Sequence, residues 1–187
     1  VEEALIAAIV LVVILLLVFL GNVRASIVVA CMLPLAALFT FLMMSFLGMS
    51  ANLMSLGGLA IAIGLIVDAA VVVVENTVER LGHDHARAPR VNVIFQAATE
   101  VATPVASGIL IICLVFLPLL TLEGLEGKLF RPVALTIIFA LAGSLAMSLT
   151  VVPVLSSFML GKTAHKDPLL MRLLTPVYAR LLDFSLK

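Results

Sequence analysis

The stretch LGGLAIAIGLIVDAAVVVV, residues 56–74, indicates which class of fold this chain adopts. Its only charged side chain is Asp68, and the remaining residues are apolar or glycine. As an α-helix, a stretch of this length covers about 28 Å, close to the ~30 Å hydrocarbon layer of a bilayer. A backbone in lipid must satisfy its own hydrogen bonds, and an α-helix does so within one segment. The stretch is therefore predicted to be a membrane-spanning helix that holds a carboxylate at bilayer depth.

The composition of the whole chain supports the same class. Of its 187 residues, 64% are hydrophobic and 12% are charged, whereas soluble domains are about 45–50% apolar and about 25% charged. Further apolar segments approach or exceed the ~20 residues that a spanning helix needs. We therefore predict an all-α, polytopic transmembrane helical bundle in residues 1–160, with spans at about 4–20, 26–47, 56–74, 101–122 and 133–160.

The charged connections between these segments predict the orientation of the bundle. Nine of the eleven lysine and arginine residues fall in connections on one side or in the tail after Leu160. Positive charge marks the cytoplasmic side of a membrane protein, so the side with Lys128 and Arg131 is predicted to be the outer, non-cytoplasmic side. The formal net charge is +0, which gives no indication of a nucleic-acid partner, and we expect none. The nine residues are Arg24, Arg80, Arg87, Arg90, Lys162, Lys166, Arg172, Arg180 and Lys187.

The last part of the chain, residues 161–187, has a different pattern. Leucines recur at helical spacing with Arg172, Arg180 and Asp183 between them, and Pro176 interrupts the pattern. Such a pattern is typical of an amphipathic helix on the membrane surface, and we predict one on the cytoplasmic side. A linker helix to a further span fits equally well. Because the chain begins in an apolar segment without Met, we interpret it as an internal part of a larger protein.

Asp68 is the main candidate functional residue. A carboxylate at the centre of a spanning helix costs about 2.5–3.5 kcal/mol on insertion scales, and such groups face the protein interior or a water-filled cavity and mark ion or proton paths. Glu75 lies two turns, or about 10.5 Å, further along the same helix face, and Asn76 follows it. We predict a proton relay formed by these three residues. No Lys or Arg lies within a predicted span, so a cationic partner of Asp68 would lie outside this chain; alternatively, Asp68 only hydrogen-bonds a neighbouring helix.

Other residues with metal-binding or catalytic side chains form less specific patterns. His83 and His85 flank Asp84 in a predicted cytoplasmic loop, where a solvated role is expected. Cys31 and Cys113 lie inside apolar segments and are interpreted as small buried or lipid-facing hydrophobes. The sequence contains no phosphate-binding glycine loop and no nucleophile motif, so we expect neither an enzyme nor a bound cofactor.

Two short patterns predict helix ends and helix packing. The sequence LFRP, residues 129–132, is predicted to be a helix start, with Pro132 in the first turn and Arg131 at the headgroups. Small residues at helical spacing suit close contact between membrane helices. They are Gly57, Gly58 and Gly64 in the third span and Gly143, Ser144 and Ser148 in the fifth.

Three long segments resemble the resistance-nodulation-division (RND) family of efflux pumps. The family's fourth transmembrane helix is similar to NLMSLGGLAIAIGLIVDAAVVVVENTVERL, residues 52–81. Its fifth helix resembles TEVATPVASGILIICLVFLPLLTLEG, residues 99–124, and its sixth helix, with the lead-in, resembles residues 123–160. The likeness extends over nearly the whole chain in the same order, so the five spans would correspond to helices two to six of the family.

This resemblance implies an inner-membrane pump of Gram-negative bacteria that works as a homotrimer in the lipid bilayer. It also implies a periplasmic adaptor and an outer-membrane channel as partners. In the family, the Asp that matches Asp68 carries protons and pairs with a Lys on a later helix, which lies outside this chain. The resemblance therefore implies transport driven by protons.

Residues around Asp68 indicate the branch of the family. Drug exporters usually have a second Asp at the position of Ala69, so VDAA resembles the heavy-metal branch instead. Cobalt–zinc–cadmium exporters often have an Asp at the position of Ala62, whose absence here favours the copper/silver type. The copper/silver type, however, has Met beside the proton-carrying Asp, where this chain has Ile66 and Val73. The resemblance leaves the metal open.

Methionines cluster near the predicted periplasmic ends of the second and third spans. Thioether sulfur suits soft cations such as Cu(I) and Ag(I), which makes Met54 a candidate metal ligand, although Met is also an ordinary apolar filler. The cluster consists of Met43, Met44, Met49 and Met54.

The sequence thus predicts part of a proton-driven inner-membrane transporter that exports heavy-metal cations by proton antiport, with Asp68 as the proton carrier. One alternative is an RND-type exporter of drugs or lipids. Another is a non-transporting membrane module for assembly or sensing, in which Asp68 serves only as a packing contact. This last alternative predicts that Asp68→Asn leaves transport unchanged and disturbs folding or assembly.

Overall fold

The structure is a computed structural model that describes residues 10, 11, 14–18, 20–83 and 89–160. The described residues between 10 and 20 are helical, and the described parts of the chain contain no strand. The long helices there are each long and apolar enough to cross a membrane, which confirms the predicted all-α transmembrane class. The predicted surface helix, residues 161–187, lies outside the described residues. The long helices are α1 (Val23–Phe46), α2 (Leu53–His83), α3 (Arg90–Leu120) and α4 (Gly124–Met159).

These helices extend beyond the apolar segments of the sequence. α2 has 31 residues and α4 has 36, which correspond to about 46 Å and about 54 Å of helix. Both lengths exceed the ~30 Å hydrocarbon layer, so the polar ends of these helices lie outside it. A helix continues through polar residues because each added residue gains a backbone hydrogen bond without a new nucleation step.

The prediction that LFRP is a helix start is wrong. α4 begins at Gly124, and Pro132 lies in its interior. Gly124 has a φ of +72°, which glycine adopts without strain and which separates α4 from the preceding turn. Pro132 lacks the N–H that would bond the Lys128 carbonyl, while its own carbonyl accepts a hydrogen bond from the Thr136 hydroxyl at 2.8 Å. The helix therefore passes through the proline.

Both α4 and α2 pack against each of the other three long helices, and the contacts of α4 are the more extensive. The most extensive contact of α4 is with α2. The two helices run in the same direction: Gly58 lies against Val133, and further along both helices the Ser144 hydroxyl donates to the Ile66 carbonyl at 2.7 Å. The other faces of α2 contact α1 and α3 or are exposed at the surface of the bundle.

At least three of the small residues predicted to allow close contacts between helices do so, since Ser144 bonds to α2 and both Gly58 and Gly143 lie against a neighbouring helix. A Cβ at Gly58 would lie 2.9 Å from a backbone oxygen of α4, and a Cβ at Gly143 would overlap the ring of Phe39 on α1. In contrast, a Cβ at Gly57 or Gly64 would meet no atom within 4 Å in the described part of the chain. Spacing alone thus identified a set of small residues, of which only some face a neighbouring helix.

Candidate functional site

Asp68 lies on an exposed face of α2. Exposed residues recur along this face at intervals of three or four, which corresponds to one side of an α-helix. They include Gly57, Gly64, Val72 and Glu75. The structure therefore places Asp68 and Glu75 on one side of the helix, two turns apart.

A cavity of about 300 Å³ lies beside Asp68, between α2 and α3. Asp68 is the one ionisable side chain among its described lining residues, and Gly108 on α3 leaves room that a larger side chain would occupy. A water molecule takes up about 30 Å³ of liquid volume, so several can enter beside the carboxylate. The remaining lining is apolar and comes from Leu65, Ala69, Val72, Pro104, Val105, Ile109 and Ile112.

Asp68 has no cationic partner within the described part of the chain. The one ion pair found there joins Arg80 to Glu100 at 2.6 Å. A charged carboxylate at membrane depth is unfavourable unless it is paired or hydrated. The charged form of Asp68 therefore requires water in the cavity or a cation from outside these helices.

At the far end of α2, Asn76 joins this helix to α3. Its amide nitrogen donates to the Ala97 carbonyl at 2.8 Å and to Glu100 Oε2 at 3.1 Å. Arg80 donates to the same Glu100 oxygen at 2.6 Å. The hydrogen bond from Asn76, followed by that from Arg80, lowers the pKa of Glu100. Glu100 directly precedes the apolar segment that begins at Val101.

The structure therefore separates the three residues of the predicted proton relay. Asn76 bonds to α3 and not to Asp68. Glu75 is exposed and lies about 10.5 Å from Asp68 along the helix axis, whereas direct proton transfer needs a heavy-atom distance of about 2.6–3.2 Å. A proton can pass between the two carboxylates only through intervening water.

Sequence reasoning did not identify the contact of Glu100 with Asn76 and Arg80. One signal was available: Arg80 lies one turn after Asn76 and so shares its helix face. The position of Glu100 opposite that face depends on how α3 packs against α2, which the pattern of either helix alone does not specify. Both side chains are about half exposed, at 43% and 50%, so their ion pair contributes little stability.

Replacing Asn76 with leucine is expected to lower the stability of the full-length protein by about 1–2 kcal/mol. The change removes both hydrogen bonds to α3, and such bonds contribute about 1 kcal/mol each. Thermal unfolding in detergent measures the loss as a lower midpoint. Glu79→Gln, at an exposed position of the same helix, is the matched control and is expected to leave the midpoint unchanged. Equal shifts for the two variants would contradict the interhelical role of Asn76.

The structure places the methionines of the predicted cluster in different surroundings. Met54 is 39% exposed at the start of α2, whereas Met44 is buried, and Met49 lines a separate cavity. Among the described residues, no group of three or more His, Cys, Asp or Glu side chains could hold a metal ion. Asp84 and His85 lie outside the described residues. A metal-binding role of Met54 stays a prediction.

Comparison with known proteins identifies the family. The sequence matches the model of the AcrB/AcrD/AcrF family over residues 1–187. The chain belongs to this family. The AcrB/AcrD/AcrF proteins are RND transporters, so the match confirms the resemblance seen in residues 52–81, 99–124 and 123–160.

Relatives of this AcrB/AcrD/AcrF chain have names that refer to metal resistance or to cation efflux. The cobalt-zinc-cadmium resistance protein CzcA of Cupriavidus metallidurans is 43% identical over 194 residues, which cover 100% of this chain and 18% of that protein. The cation efflux system protein CusA of Escherichia coli (strain K12) is 43% identical over 148 residues, or 75% of this chain and 14% of that protein. A crystal structure of a heavy metal efflux pump matches with a TM-score of 0.71 and 37% identity, covering 84% of this chain and 15% of that chain. This chain thus spans less than a fifth of the length of these relatives.

Proposed function

We propose that this chain is part of a proton-driven inner-membrane transporter that exports heavy-metal cations, and that Asp68 carries the proton. One observation carries the proposal: Asp68 borders an otherwise apolar cavity of about 300 Å³ on a membrane-spanning helix and has no cationic partner among the described residues. The AcrB/AcrD/AcrF family and the heavy-metal names of the relatives support the substrate class.

Protonation of Asp68 would change how the helices pack around this cavity. The neutral acid tolerates apolar surroundings, whereas the charged carboxylate at bilayer depth costs about 2.5–3.5 kcal/mol more unless water or a cation reaches it. A difference of this size shifts a conformational equilibrium on the order of 100-fold. Asp68 would take up a proton in one arrangement of the helices and release it in another. In the proposed antiport, the metal cation moves outward across the membrane as the proton moves inward.

The other predicted site residues have secondary roles in this proposal. Glu75 passes the proton between Asp68 and the cytoplasmic side through water, because it shares the exposed face of α2. Asn76 supports this path by holding α3 through Glu100. Met54, which is exposed at the opposite end of α2, is a contact for a soft cation.

The complete transporter is proposed to be a homotrimer in the inner membrane that works with a periplasmic adaptor and an outer-membrane channel. Membership of the AcrB/AcrD/AcrF family supports this assembly. Because the chain covers 18% of the CzcA relative, most of the residues that select and move the metal belong to other parts of such a transporter.

Proton flux in liposomes that contain the full-length protein tests the proposed substrate class. Cu(I), Ag(I), Zn(II) and a cationic drug are offered separately, and a pH-sensitive dye reports proton movement. We expect at least one metal to drive proton counterflow and the drug to drive none. Flux driven by the drug alone would favour the drug-exporting alternative, and the absence of flux with every substrate would overturn the transport proposal.

A further inference from the structure

A second cavity lies at the end of the bundle opposite to the Arg80–Glu100 pair. It has a volume of about 430 Å³ and is formed by the α1–α2 connection and the first turns of α4. Two of its lining side chains are cations, Lys128 and Arg131, and apart from Gly127 the other lining residues are apolar. These apolar residues are Leu47, Met49, Pro132 and Leu135.

The two cations lie one turn apart on α4, so they share a helix face. Neither pairs with a carboxylate within the described part of the chain, where the ion pair joins Arg80 to Glu100. Glu123 and Glu126 also lie at the start of α4 but do not line the cavity. The charged side chains that do line it are both cations, and two cations beside low-dielectric walls produce a positive potential that attracts an anion. The same potential opposes a metal cation at Met49, although its thioether lines the cavity.

The cavity lies where two apolar segments of the chain meet their polar connections. Leu47 ends the apolar segment 26–47, and the apolar segment 133–160 begins directly after Pro132. Lys128 and Arg131 therefore lie at the depth of the lipid headgroups, and Leu135 lies one turn deeper along α4. A phospholipid has the same arrangement of charged and apolar groups along the membrane normal, with its phosphate at the surface and its acyl chains in the interior.

We propose that this cavity binds the phosphate headgroup of an anionic phospholipid, with its acyl chain against Leu47 and Leu135. Arg131 offers a planar pair of N–H donors and Lys128 a point charge, and both match phosphate oxygens. The volume of about 430 Å³ lies in the range of small-molecule sites, about 300–1,000 Å³. The bound lipid joins the α1–α2 connection to α4. Free phosphate shares the headgroup chemistry, but the apolar walls select the lipid.

Lipid titration of the full-length protein in detergent tests this site. Native mass spectrometry counts the bound molecules as phosphatidylglycerol, phosphatidylcholine or inorganic phosphate is added. The charges contribute about fivefold in affinity each, so we expect Lys128→Gln with Arg131→Gln to weaken the tightest phosphatidylglycerol site about 25-fold. The matched control, Arg24→Gln, removes an exposed cation at the other end of the bundle and is expected to leave that site unchanged.

Two further variants separate binding from folding and lipid from phosphate. The charge-preserving exchange Lys128→Arg with Arg131→Lys is expected to retain phosphatidylglycerol, which shows that the positions tolerate substitution. Met49→Trp reduces the cavity while both cations stay, and is expected to weaken the lipid more than inorganic phosphate. If the double glutamine variant does not fold, Lys128→Gln alone is expected to weaken the site about fivefold.

Three outcomes would overturn the proposal. The double glutamine variant, or the single variant in its place, could bind phosphatidylglycerol as tightly as the wild type does. Arg24→Gln could weaken binding by the same factor, which would indicate a general charge effect. Inorganic phosphate could displace phosphatidylglycerol at equal concentration, which would identify the site as one for free phosphate.

Discussion

Replacing Asp68 with asparagine is expected to abolish metal-driven proton flux in the full-length transporter while the protein still folds. The two side chains have nearly the same shape, but the amide neither binds nor releases a proton near neutral pH. The variant therefore stays in the state that corresponds to the neutral acid. The charge on Asp68 changes the free-energy difference between the two helix arrangements by about 2.5–3.5 kcal/mol. We therefore expect a loss of flux on the order of 100-fold.

The measurement compares wild type and Asp68→Asn in liposomes with the metal that drives the largest flux. Glu79→Gln, an exposed carboxylate of the same helix that lines no part of the Asp68 cavity, is the matched control and is expected to transport normally. Gel filtration and thermal unfolding report whether Asp68→Asn is folded. Normal flux together with impaired folding or assembly would show that Asp68 is a packing contact, as the non-transporting alternative predicts.

Replacing Gly58 with alanine is expected to destabilise the contact between α2 and α4. The added Cβ would lie 2.9 Å from the Val133 carbonyl oxygen and 3.1 Å from the Val133 Cα. Both are backbone atoms, so no rotation of a side chain can relieve the clash. Overpacking of this kind costs about 1–3 kcal/mol. Gly143→Ala is also expected to be destabilising, because its Cβ would overlap the Cγ and Cδ1 atoms of the Phe39 ring.

Gly57→Ala is the matched control for this substitution. Its Cβ meets no atom within 4 Å in the described part of the chain, and both changes carry the same gain in helix propensity, about 1 kcal/mol. The difference between the two unfolding midpoints therefore isolates the contact with Val133. Equal midpoints would show that α2 and α4 do not approach each other as closely as the structure indicates.

The membrane helices and the main site residue could be predicted from the sequence because their signals are local. Hydrophobic length is a property of each segment, so α1, α2, α3 and α4 were each expected. Asp68 stood out for the same reason, as one carboxylate in an apolar stretch. Helix ends were less predictable, and α4 begins at Gly124, before its apolar segment. Hydropathy indicates which residues lie in the hydrocarbon layer, whereas a helix ends where its backbone hydrogen bonds end.

The partners of the site residues could not be predicted, because they depend on how separate helices meet. Asn76 was expected to act with Asp68, yet it bonds to Glu100 on α3. Two glycines of α2 show the same difficulty. Gly57 and Gly58 are equivalent in the sequence pattern, and only the packing of α4 against α2 distinguishes them.

The sequence by itself determined the all-α transmembrane class of this protein and the position of one carboxylate within an apolar helix. These properties follow from transfer free energies and helix geometry, which act residue by residue. Only the tertiary structure decided that Asp68 borders a cavity between α2 and α3, and that Lys128 and Arg131 line a second one. A cavity is the space that several helices leave between them, so it belongs to their arrangement and to no single segment.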